Sequence, residues 1–268
     1  MRSLLRWIVV SVLSFLMSIG VPALSVAAGE RGTQKGLPLQ IILEFEQTAR
    51  LLAILLDSGR AVVNDNQSVF SDPTIKSDPT IKPAFLPPEQ FERQLADMFR
   101  SRAGTDLHEL DSAAIPDAAK RLLKQLAETS KQVVALAQSK EPRPQVDGKA
   151  FIPAVFGERV AGCFAARTGV RMKQTALSPR NPANAPDAFE RAALEAFAEP
   201  SYPQEKVISE VTAKGGTIRL MFPLYTTRQC LTCHGEPKGS PDRMGYPREG
   251  LRLGQNAGAI SVMLPVNK

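Results

Sequence analysis

Apolar residues at Ile41, Phe45, Leu52, Leu55, Val62 and Val63, with Thr48 in step, give residues 38–70 one helical face. The expectation is one long helix or two in line, broken near Gly59. The pattern returns 71 residues later, where Leu51, Leu52, Leu55, Val62, Val63 and Gln67 are matched by Leu122, Leu123, Leu126, Val133, Val134 and Gln138. Beyond the intervening loop, Ala84-Phe85-Leu86-Pro87 is matched by Ala150-Phe151-Ile152-Pro153, and Phe91, Leu95, Phe99, Arg102 and Gly104 by Phe156, Val160, Phe164, Arg167 and Gly169. Residues 40–105 and 117–170 therefore read as two copies of one unit: a long helix, a loop, and a short helix entered at proline and ended at glycine. A perfect tandem hexapeptide, Ser71-Asp72-Pro73-Thr74-Ile75-Lys76 and its repeat to Lys82, reads as a surface loop with no assigned role.

After Gly169 the period changes from helical to alternating. Residues 170–177, 206–213, 217–224 and 258–265 read as strands, the middle two joined by Lys214-Gly215-Gly216 as a hairpin. Residues 187–198 read as a helix with Phe189, Ala193 and Phe197 inward, after a loop stiffened by Pro179, Pro182 and Pro186. Asn184 or Asp187 is the expected cap of that helix. The fold class is α+β: an N-terminal helical repeat followed by an antiparallel sheet with flanking helices.

The first residues change the organisation. Arg2 and Arg6 precede an apolar run from Trp7 to Leu24 and the small residues Ser25-Val26-Ala27-Ala28, the three parts of a secretory signal. The expected division is 1–28 signal peptide, 38–116 first helical copy, and 117–268 second copy plus the sheet. Export places the protein in the periplasm, with no membrane span after cleavage. Loss of Arg2 and Arg6 lowers the formal net charge from +6 to +4. No basic patch with interleaved aromatics is present, so nucleic acid is not an expected partner.

Three cysteines are too many for one disulfide and too few for two. Cys163 shares a helical stripe with Phe156, Val160 and Phe164, and the equivalent position in the first copy is Met98, so it reads as a buried core thiol. Cys230-Leu231-Thr232-Cys233-His234 is the informative stretch. Two thiols at this spacing followed by an imidazole suit covalent haem attachment, one thioether to each vinyl group and the histidine on the iron. The spacing also admits half a zinc site, a redox-active pair or a short disulfide. Zinc lacks a second ligand pair, and Gly235-Glu236-Pro237 cannot open the helix that a thioredoxin-type pair requires.

With Phe151-Ile152-Pro153-Ala154-Val155-Phe156, Lys173-Gln174-Thr175, the loop 180–187, Pro223-Leu224-Tyr225, the motif through Gly239, and Gly258-Ala259-Ile260-Ser261-Val262, the chain resembles the c-type-haem-binding, PAS-like sensor family. That family supplies extracytoplasmic sensing domains of bacterial kinases and chemoreceptors, and also stand-alone exported proteins. The resemblance covers residues 120–268 and implies a PAS-like sheet carrying one covalent haem c. Cys230 and Cys233 would be the thioether cysteines and His234 the proximal iron ligand. Some members supply a distal cysteine shortly before the proline matching Pro153, and this chain has none between Gln138 and Pro153. The expected distal position is therefore exchangeable, vacant or held by methionine, with Met221, Met263, Cys163 and His108 as candidates. Arg180, Arg219, Arg228 and Lys238 are the candidates for pairing with a haem propionate.

The expected function is a redox or diatomic-gas sensor module acting through a separate partner, since no kinase, cyclase or methyl-accepting region follows. The alternative is a periplasmic electron-transfer cytochrome. No enzymatic activity is expected, and the apolar helices make a homodimer a candidate assembly.

Overall fold

The computed structural model describes residues 37–71, 85–138, 151–212 and 216–266. The signal segment, the hexapeptide tandem beyond Ser71 and the turn residues Lys214 and Gly215 lie outside them. Among the described residues five helices come first: α1 (Leu39–Asp65), α2 (Gln67–Ser71), α3 (Pro88–Ala103), α4 (Asp117–Gln138) and α5 (Pro153–Thr168). Then follow β1 (Arg171–Thr175), a 3₁₀ turn (Pro182–Asn184), α6 (Ala188–Ala198), β2 (Ile208–Val211), β3 (Thr217–Tyr225), the one-turn α7 (Leu231–His234) and β4 (Asn256–Pro265).

The repeated phrases fold alike. Both α3 and α5 start on proline within the first turn and end on a left-handed glycine, Gly104 at φ 66° and Gly169 at φ 74°, a backbone state that costs glycine least. Matched residues also meet. The Phe91 and Phe156 rings meet tilted, with centroids 5.9 Å apart, and the matched glutamines, Gln67 at the start of α2 and Gln138 at the end of α4, each reach toward the other copy. Gln67 donates to the Phe151 carbonyl at 3.1 Å, while Gln138 accepts from the Leu86 N–H at 2.8 Å and donates to its carbonyl at 3.0 Å. Arg102 pairs with Asp57 of α1, as Arg167 bonds Thr129 and Gln132 of α4.

Two expectations need correcting. Gly59 does not break α1, which runs on to Asp65, where the Asn66 amide side chain caps the Val62 carbonyl. The glycine serves packing instead: a Cβ there would stand 2.6 Å from Cζ of Phe156. Cys163 is not in the core but exposed. The buried face of α5 includes Gly157 and Ala161, whose small size lets the helix press on β1 and α1, and a Cβ on Gly157 would meet the Gln174 amide. That contact turns the inward face away from the Cys163 side.

The sheet is antiparallel with order β1-β4-β3-β2. Alternation gives it two apolar faces. Leu220, Ile260, Val262 and Leu264 join the helical core with Leu52, Leu55, Phe156 and Phe164. Met221 and Ala259 look the other way and are covered by Ala193, Leu194 and Phe197 of α6. The architecture is α+β, and residues Gly36–Lys268 form one compact unit. Among the described residues no helix is long and apolar enough to cross a membrane.

The loop before α6 is organised by charge. Asp187 caps α6 in a capping box with Glu190, so the cap falls on Asp187 and not on Asn184. Arg219 of β3 reaches Asp187 at 2.5 Å and Glu210 at 3.2 Å, and its guanidinium lies 4.7 Å from the Phe189 ring centroid.

Candidate functional site

β3 delivers the chain to the motif through a tight anchor. The Thr226 hydroxyl donates to the Arg252 carbonyl, and its N–H donates to the Gln255 carbonyl at 2.9 Å, which fixes the exit of β3 to the entry of β4. Residues 227–230 turn, and α7 follows. The N–H groups of Cys233 and His234 both donate to the Cys230 carbonyl, at 3.2 and 2.9 Å. This single turn brings Cys230, Cys233 and His234 to neighbouring positions at the helical spacings i, i+3 and i+4.

Both motif cysteines are free thiols and half-buried, which removes the disulfide reading. Thr227 lines the first of them, its hydroxyl 3.3 Å from Sγ of Cys230. Among the described residues no three His, Cys, Asp or Glu side chains are grouped to hold a metal ion. A tetrahedral zinc site needs its ligands around one point, and this turn does not supply that arrangement.

His234 is oriented by a residue far along the chain. Its Nδ1 stands 2.8 Å from Oε2 of Glu249. The other ring nitrogen, Nε2, makes no hydrogen bond among the described residues, and the side chain is 41% exposed. An imidazole with one nitrogen held by a carboxylate and the other free is the arrangement of a metal-ligating histidine with its supporting partner.

Glu249 is held in turn by Arg180, from the loop after β1. Arg180 donates from Nε to Oε1 of Glu249 at 2.5 Å and from Nη2 to Oε2 at 2.9 Å. It also donates to Asp242 Oδ2 at 2.6 Å and to the Cys233 carbonyl at 2.9 Å, and lies 5.6 Å over the Tyr246 ring. One guanidinium thus ties the motif helix to residues 242–249. Burial pushes the Glu249 carboxyl up, but the hydrogen bonds from Arg180 and His234 outweigh it and hold the group below the usual glutamate range. The side chain of Asp242 is 1% exposed. Burial raises its carboxyl too, yet Arg180 and the N–H groups of Met244 and Tyr246 hold it lower than usual.

The four propionate candidates separate. Arg180 is committed to Glu249, Asp242 and Cys233, and Arg219 is buried against α6 with Asp187 and Glu210 as its carboxylate partners. Arg228 and Lys238 are exposed, and their side chains have no ionic partner among the described residues.

The distal candidates lie on separate elements. Met221 is fully buried beneath α6 and Met263 half-buried on β4, paired in register with Arg171 and Arg219. Cys163 is exposed on α5 and His108 exposed in the turn between α3 and α4. Met221 could act only by leaving its packing.

Leu177 on the loop after β1, Met244 and Tyr246 on the loop after the motif, and Leu253 just before β4 are large apolar side chains left between 38% and 58% exposed. The Tyr225 hydroxyl, one strand end away from the turn, is buried without a hydrogen-bond partner. Two thiols, an oriented imidazole with a free nitrogen and uncovered apolar side chains alongside are a donor set and surroundings that fit a porphyrin.

Sheet, helical pairs and motif turn together define an α+β protein whose C-terminal sheet presents a Cys-x-x-Cys-His turn braced by an Arg–Glu pair. A family model described as Tll0287-like matches residues 38–265, and the chain belongs to that family. Among solved structures, the chain is similar to one described as the cyanobacterial heme-protein Tll0287, at 24% identity over 54% of this chain and 91% of that one, with a TM-score of 0.36. No curated protein matches. Glu249 and Asp242 had no local signature in the sequence: both are single acids in a glycine- and proline-rich loop. The only hint was general, since a ligating histidine needs a partner for its second nitrogen.

Proposed function

We propose that this chain is an exported haem c protein, with one haem joined covalently through Cys230 and Cys233 and held at the iron by Nε2 of His234. The carrying observation is the His234–Glu249 hydrogen bond, which leaves Nε2 free on the turn that bears both thiols. Membership of a family named for a protein described as a heme-protein supports the reading. When bound, the group supplies a redox-active iron. The chain's own residues hold it: the thiols fix its edge, Glu249 sets the ring plane of His234, and Arg180 keeps the turn against residues 242–249. Arg228 and Lys238 are the cations free to meet the propionates.

The biological role that fits best is a redox or diatomic-gas sensor acting through a separate partner in the periplasm, without catalysis of its own. None of the four distal candidates lies in the motif loop, and the sensor reading requires an exchangeable distal position. Carbon-monoxide difference spectra of the reduced protein test this. A shift of the Soret band supports the exchangeable site. An unchanged spectrum removes gas sensing and leaves a redox sensor or a periplasmic electron-transfer cytochrome.

A further inference from the structure

The Glu249 carboxylate serves two donors at once. Its Oε2 lies 2.8 Å from His234 Nδ1 and 2.9 Å from Arg180 Nη2, while Oε1 takes Nε of the same arginine. These contacts act on His234 in opposite senses. A carboxylate on the Nδ1–H draws the proton and makes Nε2 a stronger donor to a metal. A guanidinium on that carboxylate draws its charge away and weakens the pull.

Resting on the haem reading above, we propose that Glu249 and Arg180 are opposed positioning residues that set the donor strength of His234, and through it the reduction potential of the bound iron. Glu249 favours the oxidised iron by strengthening its ligand, and Arg180 limits that effect. The arginine is well placed for this because Asp242, outside the motif turn, also holds it at 2.6 Å. Hydrogen bonding to the far side of an iron ligand is one of the main levers by which a protein moves such a potential.

The opposition gives a test by sign. Midpoint potentials are measured by spectroelectrochemistry on wild type, Glu249→Gln and Arg180→Gln, each first shown to be folded by circular dichroism and to keep its haem on a denaturing gel. Glu249→Gln is expected to raise the potential by about tenfold in the reduction equilibrium, or about 59 mV for one electron. Arg180→Gln is expected to lower it. A simple loosening of the turn would move both the same way, so shifts of equal sign, or none, overturn the proposal. Should Arg180→Gln not fold, Arg180→Lys, which keeps the charge without the fork, asks the same question with a smaller downward shift. Glu249→Asp, one methylene too short for Nδ1, should behave like the glutamine variant, and a wild-type potential there also counts against the idea. A wild-type chain without covalent haem defeats the haem reading itself, whereas a haem-loaded wild type whose variants fail the sign test defeats only this inference.

Discussion

His234 and Glu249 lie 15 positions apart in sequence and 2.8 Å apart in space, the histidine's Nδ1 against the glutamate's Oε2. The contact joins a one-turn helix to the irregular segment that leads into β4, and it is what gives the motif a defined ring orientation. The Leu251 N–H donating to the His234 carbonyl at 2.8 Å holds the backbone in the same register.

Removing Arg180 should cost more than an ordinary surface ion pair. Arg180→Ala leaves the buried Asp242 carboxylate with only its backbone donors, and the expected loss is about 2 kcal/mol. Urea unfolding measures it. The double variant Arg180→Ala with Asp242→Asn should lose less than the two single losses added together, because each single change already removes the shared contact.

Acid should unfold the protein partly through the same aspartate. The carboxyl of Asp242 sits below its ordinary value of 3.8, burial opposing and Arg180 with the two N–H groups prevailing. A lowered folded-state value contributes stability that is complete above the unfolded value and lost as pH falls below about 3.8 through the folded one. Urea midpoints followed from pH 6 downward should therefore fall more steeply for wild type than for Asp242→Asn over that acid range. Parallel curves would show that Asp242 does not carry the effect.

Two glycines give opposite expectations on substitution. Gly59→Ala places a methyl 2.6 Å from Cζ of the fully buried Phe156, and overpacking of this kind costs about 1–3 kcal/mol. Gly162→Ala, on the outer side of α5 with nothing within 4 Å of the new atom, should gain about 0.4–1 kcal/mol from reduced chain entropy. Thermal unfolding of the two variants gives the comparison, with a lower Tm for the first and a higher one for the second.

The cap of α6 offers a fourth stability test. Asp187→Ala removes the capping box and one acceptor of Arg219, and a cost of about 1–2 kcal/mol is expected by chemical denaturation. Asp187→Asn, which keeps a capping oxygen but not the charge, should recover the part due to the cap.

Much of the scaffold was legible because periodicity and punctuation agree. Pro88 and Pro153 open the short helices, Gly104 and Gly169 close them, and the alternation of Leu220 and Met221 places these two residues on opposite faces of β3. The misreadings have one cause, that a residue type carries several structural uses. Gly59 marked room for Phe156, not a helix break. Cys163 is in step with the stripe of Phe156, Val160 and Phe164, which is buried, but Gly157 and Ala161 extend that buried face on the side away from Cys163. At the site, Cys230, Cys233 and His234 announce themselves by adjacency. Glu249 and Asp242 do not, since their partners arrive from α7 and from the loop after β1 by long-range folding. Arg180 was singled out for its charge, and the structure gives that charge to two acids of the same chain.

The central claim is covalent attachment at Cys230 and Cys233, and a thiol count on the denatured protein tests it most directly. The chain has three cysteines, so protein made with working haem-ligation machinery, then denatured and reduced, should titrate one thiol, Cys163, and keep its colour on a denaturing gel. Three titratable thiols and a colourless band would contradict it.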